Sequence, residues 1–152
     1  MLLAVRWTEH MEEKTMDVSA FQKMKAKSGM TARVYNAHKG YPRLAELDWL
    51  DAGDTDFIHL FVESSNQFKA FFVEAVDAAN EKALVWVSYP KSIGKRRYDI
   101  NRDSLWDLLI AYGWHPVAQI ALDDQWSAVR GKPNETGKEY VRQKNVKIKA
   151  TQ

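Results

Sequence analysis

Two apolar runs constrain this chain more than any other feature: FIHLFV at residues 57–62 and ALVWVSY at 83–89. Each is close to continuous. A strand with one wet face alternates apolar and polar residues, whereas a continuous run belongs to a strand covered on both faces, as in a parallel sheet. Between the runs lies SSNQFKAFFVEAVDAAN (64–80), where Phe68, Phe71, Phe72, Ala75 and Ala79 recur at helical intervals. Ser64 and Gln67 have capping-box spacing, and Asn80 can end the helix. Strand, helix, strand is the connection that parallel neighbours require.

The rest of the chain extends this pattern. TARVYN (31–36) reads as an earlier strand. AHKGYPRL follows, with Gly40 for a tight turn and Pro42 at a first helical position, so a short helix is expected through Leu44, Leu47 and Leu50. DAGDTD (51–56) has loop composition. NRDSLWDLLIAYG (101–113) predicts another helix, capped by Asn101 or Asp99, with Leu105, Leu108, Leu109 and Tyr112 on its apolar face and Gly113 and Pro116 at its end. VAQIAL (117–122) and WSAVRG (126–131), joined by DDQ, predict a hairpin. The expected order is β-α-β-α-β-α-β-β. The fold class implied is α/β, a small Rossmann-like, mostly parallel sheet with helices on both faces and a C-terminal antiparallel hairpin.

With 152 residues, one core suffices. Residues 1–28 read as an N-terminal helical extension, with Phe21, Met24 and a lysine-rich end before Gly29. Residues 29–131 make the α/β domain, and 132–152 a basic C-terminal tail. The net charge of +2 belongs to that tail: from Gly131 onward six Lys/Arg face two Glu, so the body is slightly acidic. A basic tail is able to meet nucleic acid, but a solvated end is the expected reading here. The absence of Cys excludes thiolate catalysis, Cys-ligated zinc, iron–sulfur clusters and disulfides. The opening apolar run MLLAV is too short for a signal peptide core, and no stretch is long enough for a membrane span. A cytoplasmic protein with no membrane association is expected.

The stretches GMTARVYNAHKGY, DFIHLFV, ALVWVSYPK, DINRDSLWDLL and PVAQIALDDQWSAVRG together resemble a bacterial family catalogued as a domain of unknown function, with SYPK, D-x-N-R-D and D-D-x-W-S-A as its motifs. The resemblance runs from about Gly29 to about Arg130 and implies fold and site hints but no activity. The strand order is also similar to the later half of S-adenosylmethionine-dependent methyltransferases, which end in an antiparallel hairpin. That likeness implies a Gly-rich loop after the first strand and an acidic residue after the second. NAHKGY carries a single Gly, and the stretch to Asp56 is too short for the usual pattern.

In an open α/β sheet, ligands bind beyond the carboxyl ends of the strands. Those ends are expected at Asn36–His38, Glu63–Ser64, Ser88–Lys91 and Asp123–Asp124. Lys91, Lys95, Arg96 and Arg97 lie between Tyr89 and Tyr98, just before a helix start, where free N–H groups and cations favour an anion. The candidate ligand-binding residues are Tyr89, Lys91, Asn101, Arg102, Asp123 and Trp126. Asp123 and Asp124 also make a good hairpin turn, and Asp123 is the one expected to pair with Lys91. The four His form no metal set, and His59, inside an apolar run, is expected to be a satisfied core residue. Ser88 and Ser127 have no base nearby in any known pattern. Trp86 and Trp106 are expected in the core, with Trp126 at the rim. No P-loop, dinucleotide fingerprint, H-E-x-x-H or G-x-S-x-G occurs. No cofactor and no metal are expected. The reading leans to a non-enzymatic module for an anionic small molecule or a protein partner. The alternatives are a degenerate methyltransferase-like enzyme and a nucleic-acid binder acting through the tail.

Overall fold

A computed structural model describes residues 16–93 and 97–134. The tail beyond Asn134, Lys95 and Arg96 of the basic loop, and most of the N-terminal extension lie outside the described residues. Three helices are described: α1 (Ser19–Lys23), α2 (Ser65–Asp77) and α3 (Arg102–Ala111). The strands are β1 (Thr31–Tyr35), β2 (Asp48–Trp49), β3 (Thr55–Phe61), β4 (Ala79–Pro90), β5 (Trp114–Ala121) and β6 (Trp126–Pro133). They form one six-stranded sheet in the order β2-β1-β3-β4-β6-β5. β2, β1, β3 and β4 pair in parallel, and β6 runs antiparallel to both β4 and β5. This is the Rossmann-like, mostly parallel sheet with a C-terminal antiparallel hairpin. The reversed strand sits one place in from the edge.

The continuous apolar runs are buried on both faces, as their composition demands. On one face Ile58, Leu60, Val85, Val87 and Val129 meet Phe68, Phe72 and Ala75 of α2 and Leu105 and Leu109 of α3. On the other, Phe57, Phe61, Trp86 and Ala128 meet Ala20 and Phe21 of α1, with Met16, Met24 and Leu47. Adjacent residues of a strand point to opposite faces, so a run without polar gaps feeds two cores at once. Gly131 of β6 lies under α3, where a Cβ would stand 3.4 Å from the Trp114 ring and 3.5 Å from Leu109 Cδ2.

Four expectations change. The segment after Pro42 forms no helix. It turns at Leu44, where Leu47 N–H and Trp49 Nε1–H both donate to the Leu44 carbonyl, and then enters β2. Asp48 N–H donates to the Met30 carbonyl and Leu50 N–H to that of Ala32, so pairing with β1 outcompetes a marginal short helix. α1 stops at Lys23, because Lys25 already adopts a positive φ of 63°. β4 begins at Ala79, before the apolar run, and Ala78 rather than Asn80 caps α2. Trp106 is 37% exposed, on the outer side of α3, and is not a core residue.

Candidate functional site

The connection from β1 leaves toward β2 on one side, and β3 continues toward β4 on the other. The sheet therefore has a topological switch point between β1 and β3, and the crevice beyond their carboxyl ends is where open α/β sheets take ligands. β6 begins at this same rim, which brings the turn before Trp126 alongside the ends of β3 and β4. An open cleft of about 390 Å³ lies there, lined by Glu63, Pro90, Lys91, Ile93, Tyr98, Gln125 and Trp126.

The structure brings Lys91, Asp123 and Trp126 together. The Lys91 amine donates to the backbone carbonyl of Asp123 at 2.8 Å, rather than to its carboxylate. Asp123 Oδ1 accepts from the N–H groups of Gln125 and Trp126, at 2.7 and 2.8 Å, and so builds the hairpin turn. Tyr89 points to the opposite face, 5% exposed, and its hydroxyl accepts from Gln119 Nε2 at 3.0 Å. Burial raises the Tyr89 phenol above its ordinary value. Asn101 caps α3: its Oδ1 accepts from Ser104 N–H, and Ser104 Oγ accepts from Asn101 N–H. Arg102 lies over the Trp106 ring, 5.4 Å from the centroid, with Asp103 at 3.6 Å. These two residues serve α3 and are not among the residues lining the cleft.

Part of the amide set at each helix start is taken by side chains. Ser65 N–H at the start of α2 donates to Asp99 Oδ1, Gln67 N–H to Ser64 Oγ, and Ser104 N–H to Asn101. Each such bond takes one of the four donors that a helix start offers an anion.

Behind the cleft the structure assembles a cluster that sequence reasoning missed. His59 and Ser88 are both fully buried, with Nε2 and Oγ 2.6 Å apart. Tyr41 OH stands 3.1 Å from the other ring nitrogen of His59. The result is a hydroxyl–imidazole–hydroxyl chain across the sheet. Burial pushes the His59 imidazole down to about 3, with His38 adding to the effect, and burial also raises the Tyr41 phenol. A neutral imidazole with both nitrogens engaged is a satisfied core histidine, as expected. The expectation that Ser88 lacks a nearby base is corrected, because β3 and β4 lie side by side and set residues 29 positions apart in contact. No metal-holding group of His, Asp and Glu occurs among the described residues.

His38, after β1, packs on residues at the end of β3 and the start of β6. Its ring stacks on Trp126, with centroids 5.6 Å apart and an interplanar angle of 16°, and meets Phe61 edge-on at 4.9 Å. Asn36, at φ 58°, donates through Nδ2 to the Phe61 carbonyl and ties the start of this turn to the end of β3.

No family model and no curated protein matches the chain. Solved structures with a similar strand layout include a DhpI–SAH complex, at 13% identity and TM-score 0.48, covering 77% of this chain and 83% of that one. The B. subtilis M1A22 tRNA methyltransferase TrmK is similar at 7% identity and TM-score 0.47, covering 82% and 68%. A SAM-dependent methyltransferase from Aquifex aeolicus is similar at 12% identity and TM-score 0.45, covering 76% and 93%. Likenesses this remote assign no activity to this chain.

Proposed function

We propose that this protein is a methyltransferase-like α/β domain that acts by binding a small molecule at the carboxyl rim of its sheet. The observation that carries the reading is the cleft of about 390 Å³ beyond β3, β4 and β6, beside the switch point. Its lining offers one carboxylate, Glu63, one amine, Lys91, an amide, Gln125, and apolar surface from Pro90, Ile93 and Trp126. That mix suits a small ligand with both an apolar body and polar ends. An anion alone is less well matched, since Lys91 already serves the Asp123 carbonyl and a side chain caps the start of each long helix.

An adenosyl cofactor fits the present arrangement poorly. The turn after β1 holds one glycine, Gly40, and the His38 ring lies over the end of β3 where such a cofactor's approach needs open backbone. The domain is therefore read as a binder, with Lys91 and Asp123 shaping the cleft rather than moving protons. The basic tail as a nucleic-acid contact stays a separate reading, tested by the salt dependence of binding.

The test is isothermal titration with S-adenosylmethionine, S-adenosylhomocysteine, inorganic phosphate and adenine nucleotides, repeated on Ile93→Ala and Gln125→Ala. Both residues line the cleft, and Ile93 is half exposed, so neither change threatens folding. The expected result is saturable binding of an adenine nucleotide, with the S-adenosyl compounds binding more weakly, and a loss of about tenfold in each variant, the equivalent of roughly 1.4 kcal/mol. Binding of phosphate alone would return the function to anion capture. No binding by any of these compounds at millimolar concentration would overturn the small-molecule reading and point to a protein partner.

A further inference from the structure

We infer that residues 37–40 are a gate over the switch-point crevice, latched by the His38 ring against Trp126. Three observations place the latch in this turn. The first is its construction. Tyr41 N–H donates to the His38 carbonyl at 3.2 Å, and Gly40 has φ 87°, so His38–Tyr41 is a turn with its glycine at the position that demands a left-handed backbone. Asn36, also left-handed, holds one end through the Phe61 carbonyl. Tyr41 holds the other by its contacts with Phe21, Trp49, His59 and Phe61. Between these anchors Ala37, Lys39 and Gly40 are exposed, and His38 is the residue that packs inward.

The second observation is the latch itself. His38 Nδ1 lies 2.8 Å from the Lys39 carbonyl, which only accepts, so Nδ1 carries a proton and, in the neutral ring, Nε2 holds the lone pair. Nε2 is buried and has no hydrogen-bond partner. A buried polar atom without a partner marks a closed state that is held below its full strength. The bond that His38 does make lies within the turn, so it survives opening. What opening loses is the ring contact with Trp126, Phe61 and Tyr41, and what it gains is hydration of Nε2.

The third observation is position. Trp126 carries the His38 ring and also lines the cleft, so the latch and the ligand site share one side chain. With the gate open, the cleft extends over the carboxyl ends of β1 and β3. The gate guards the site proposed above, but its existence is tested with no ligand present, so the two readings fail separately.

The experiment labels the protein with 5-fluorotryptophan and assigns the six signals by Trp→Phe replacement, one at a time. Fluorine relaxation dispersion then reads microsecond-to-millisecond exchange at Trp126. The expected result is dispersion at Trp126 from an open state populated at roughly 0.1–10%. His38→Phe, which keeps the ring and removes the lone pair, should suppress it. His38→Ala should move the signal to the open-state shift. A flat profile at Trp126 in the unaltered chain would overturn the gate. Dispersion unchanged in the His38 variants would overturn the latch. The unaltered chain alone decides the first point should a variant not fold.

Discussion

At the scale of single residues, the buried His59 carries the clearest consequence. Its imidazole stays neutral down to about pH 3 in the folded chain, while in the unfolded chain it takes a proton near 6.5. Between these values the unfolded state binds more protons. The stability due to neutral burial is therefore complete above about pH 6.5 and is lost as pH falls toward 3, by at most about 1.4 kcal/mol per unit. The carboxyls of Asp17 and Asp56, held low chiefly by backbone N–H groups of Ser19 and Thr31, weaken the fold only in more acid solution. Urea midpoints measured from pH 7 to 5 should fall in the unaltered protein and stay level in His59→Phe. A level profile in both would show that His59 is not held neutral. The sequence made His59 legible as a core histidine, because it sits in an apolar run. Its partners were not legible, because Ser88 and Tyr41 reach it across strands and a turn.

At the scale of elements, the helices follow local chemistry most closely. Asn101 and Ser104 satisfy each other's backbone N–H groups at the start of α3. Asn101→Ala should cost about 1 kcal/mol, read from the urea midpoint, with Asn101→Gly costing only a few tenths. A loss below about 0.5 kcal/mol in the alanine variant, roughly the lower limit of a cap's worth, would mean the cap is idle. Such caps were readable because they act over three residues. The segment 42–50 was misread for the opposite reason. Its leucines have helical spacing, yet Met30 and Ala32 offer it parallel backbone partners that lie more than fifteen positions away. The edge strand β5 carries Pro116 and an irregular register between Pro116 and Ala118. Both blunt an open edge against further pairing.

At the scale of the whole molecule, one sheet separates two cores and belongs to both. Losing either core uncovers the same strands, so unfolding should be a single transition. Far-UV circular dichroism and tryptophan fluorescence should trace one coincident urea curve, and separated midpoints would show that the faces unfold apart. The sequence by itself determined the parallel sheet, its two covered faces, the two long helices and the closing hairpin. Those features come from residue periodicity and from caps and turns of a few residues. The tertiary structure alone decided that Tyr41, His59 and Ser88 form one chain, that the Lys91 amine meets a carbonyl rather than a carboxylate, and that His38 lies on Trp126. These contacts join residues 18 to 88 positions apart, and only the order and register of the strands set which distant groups meet.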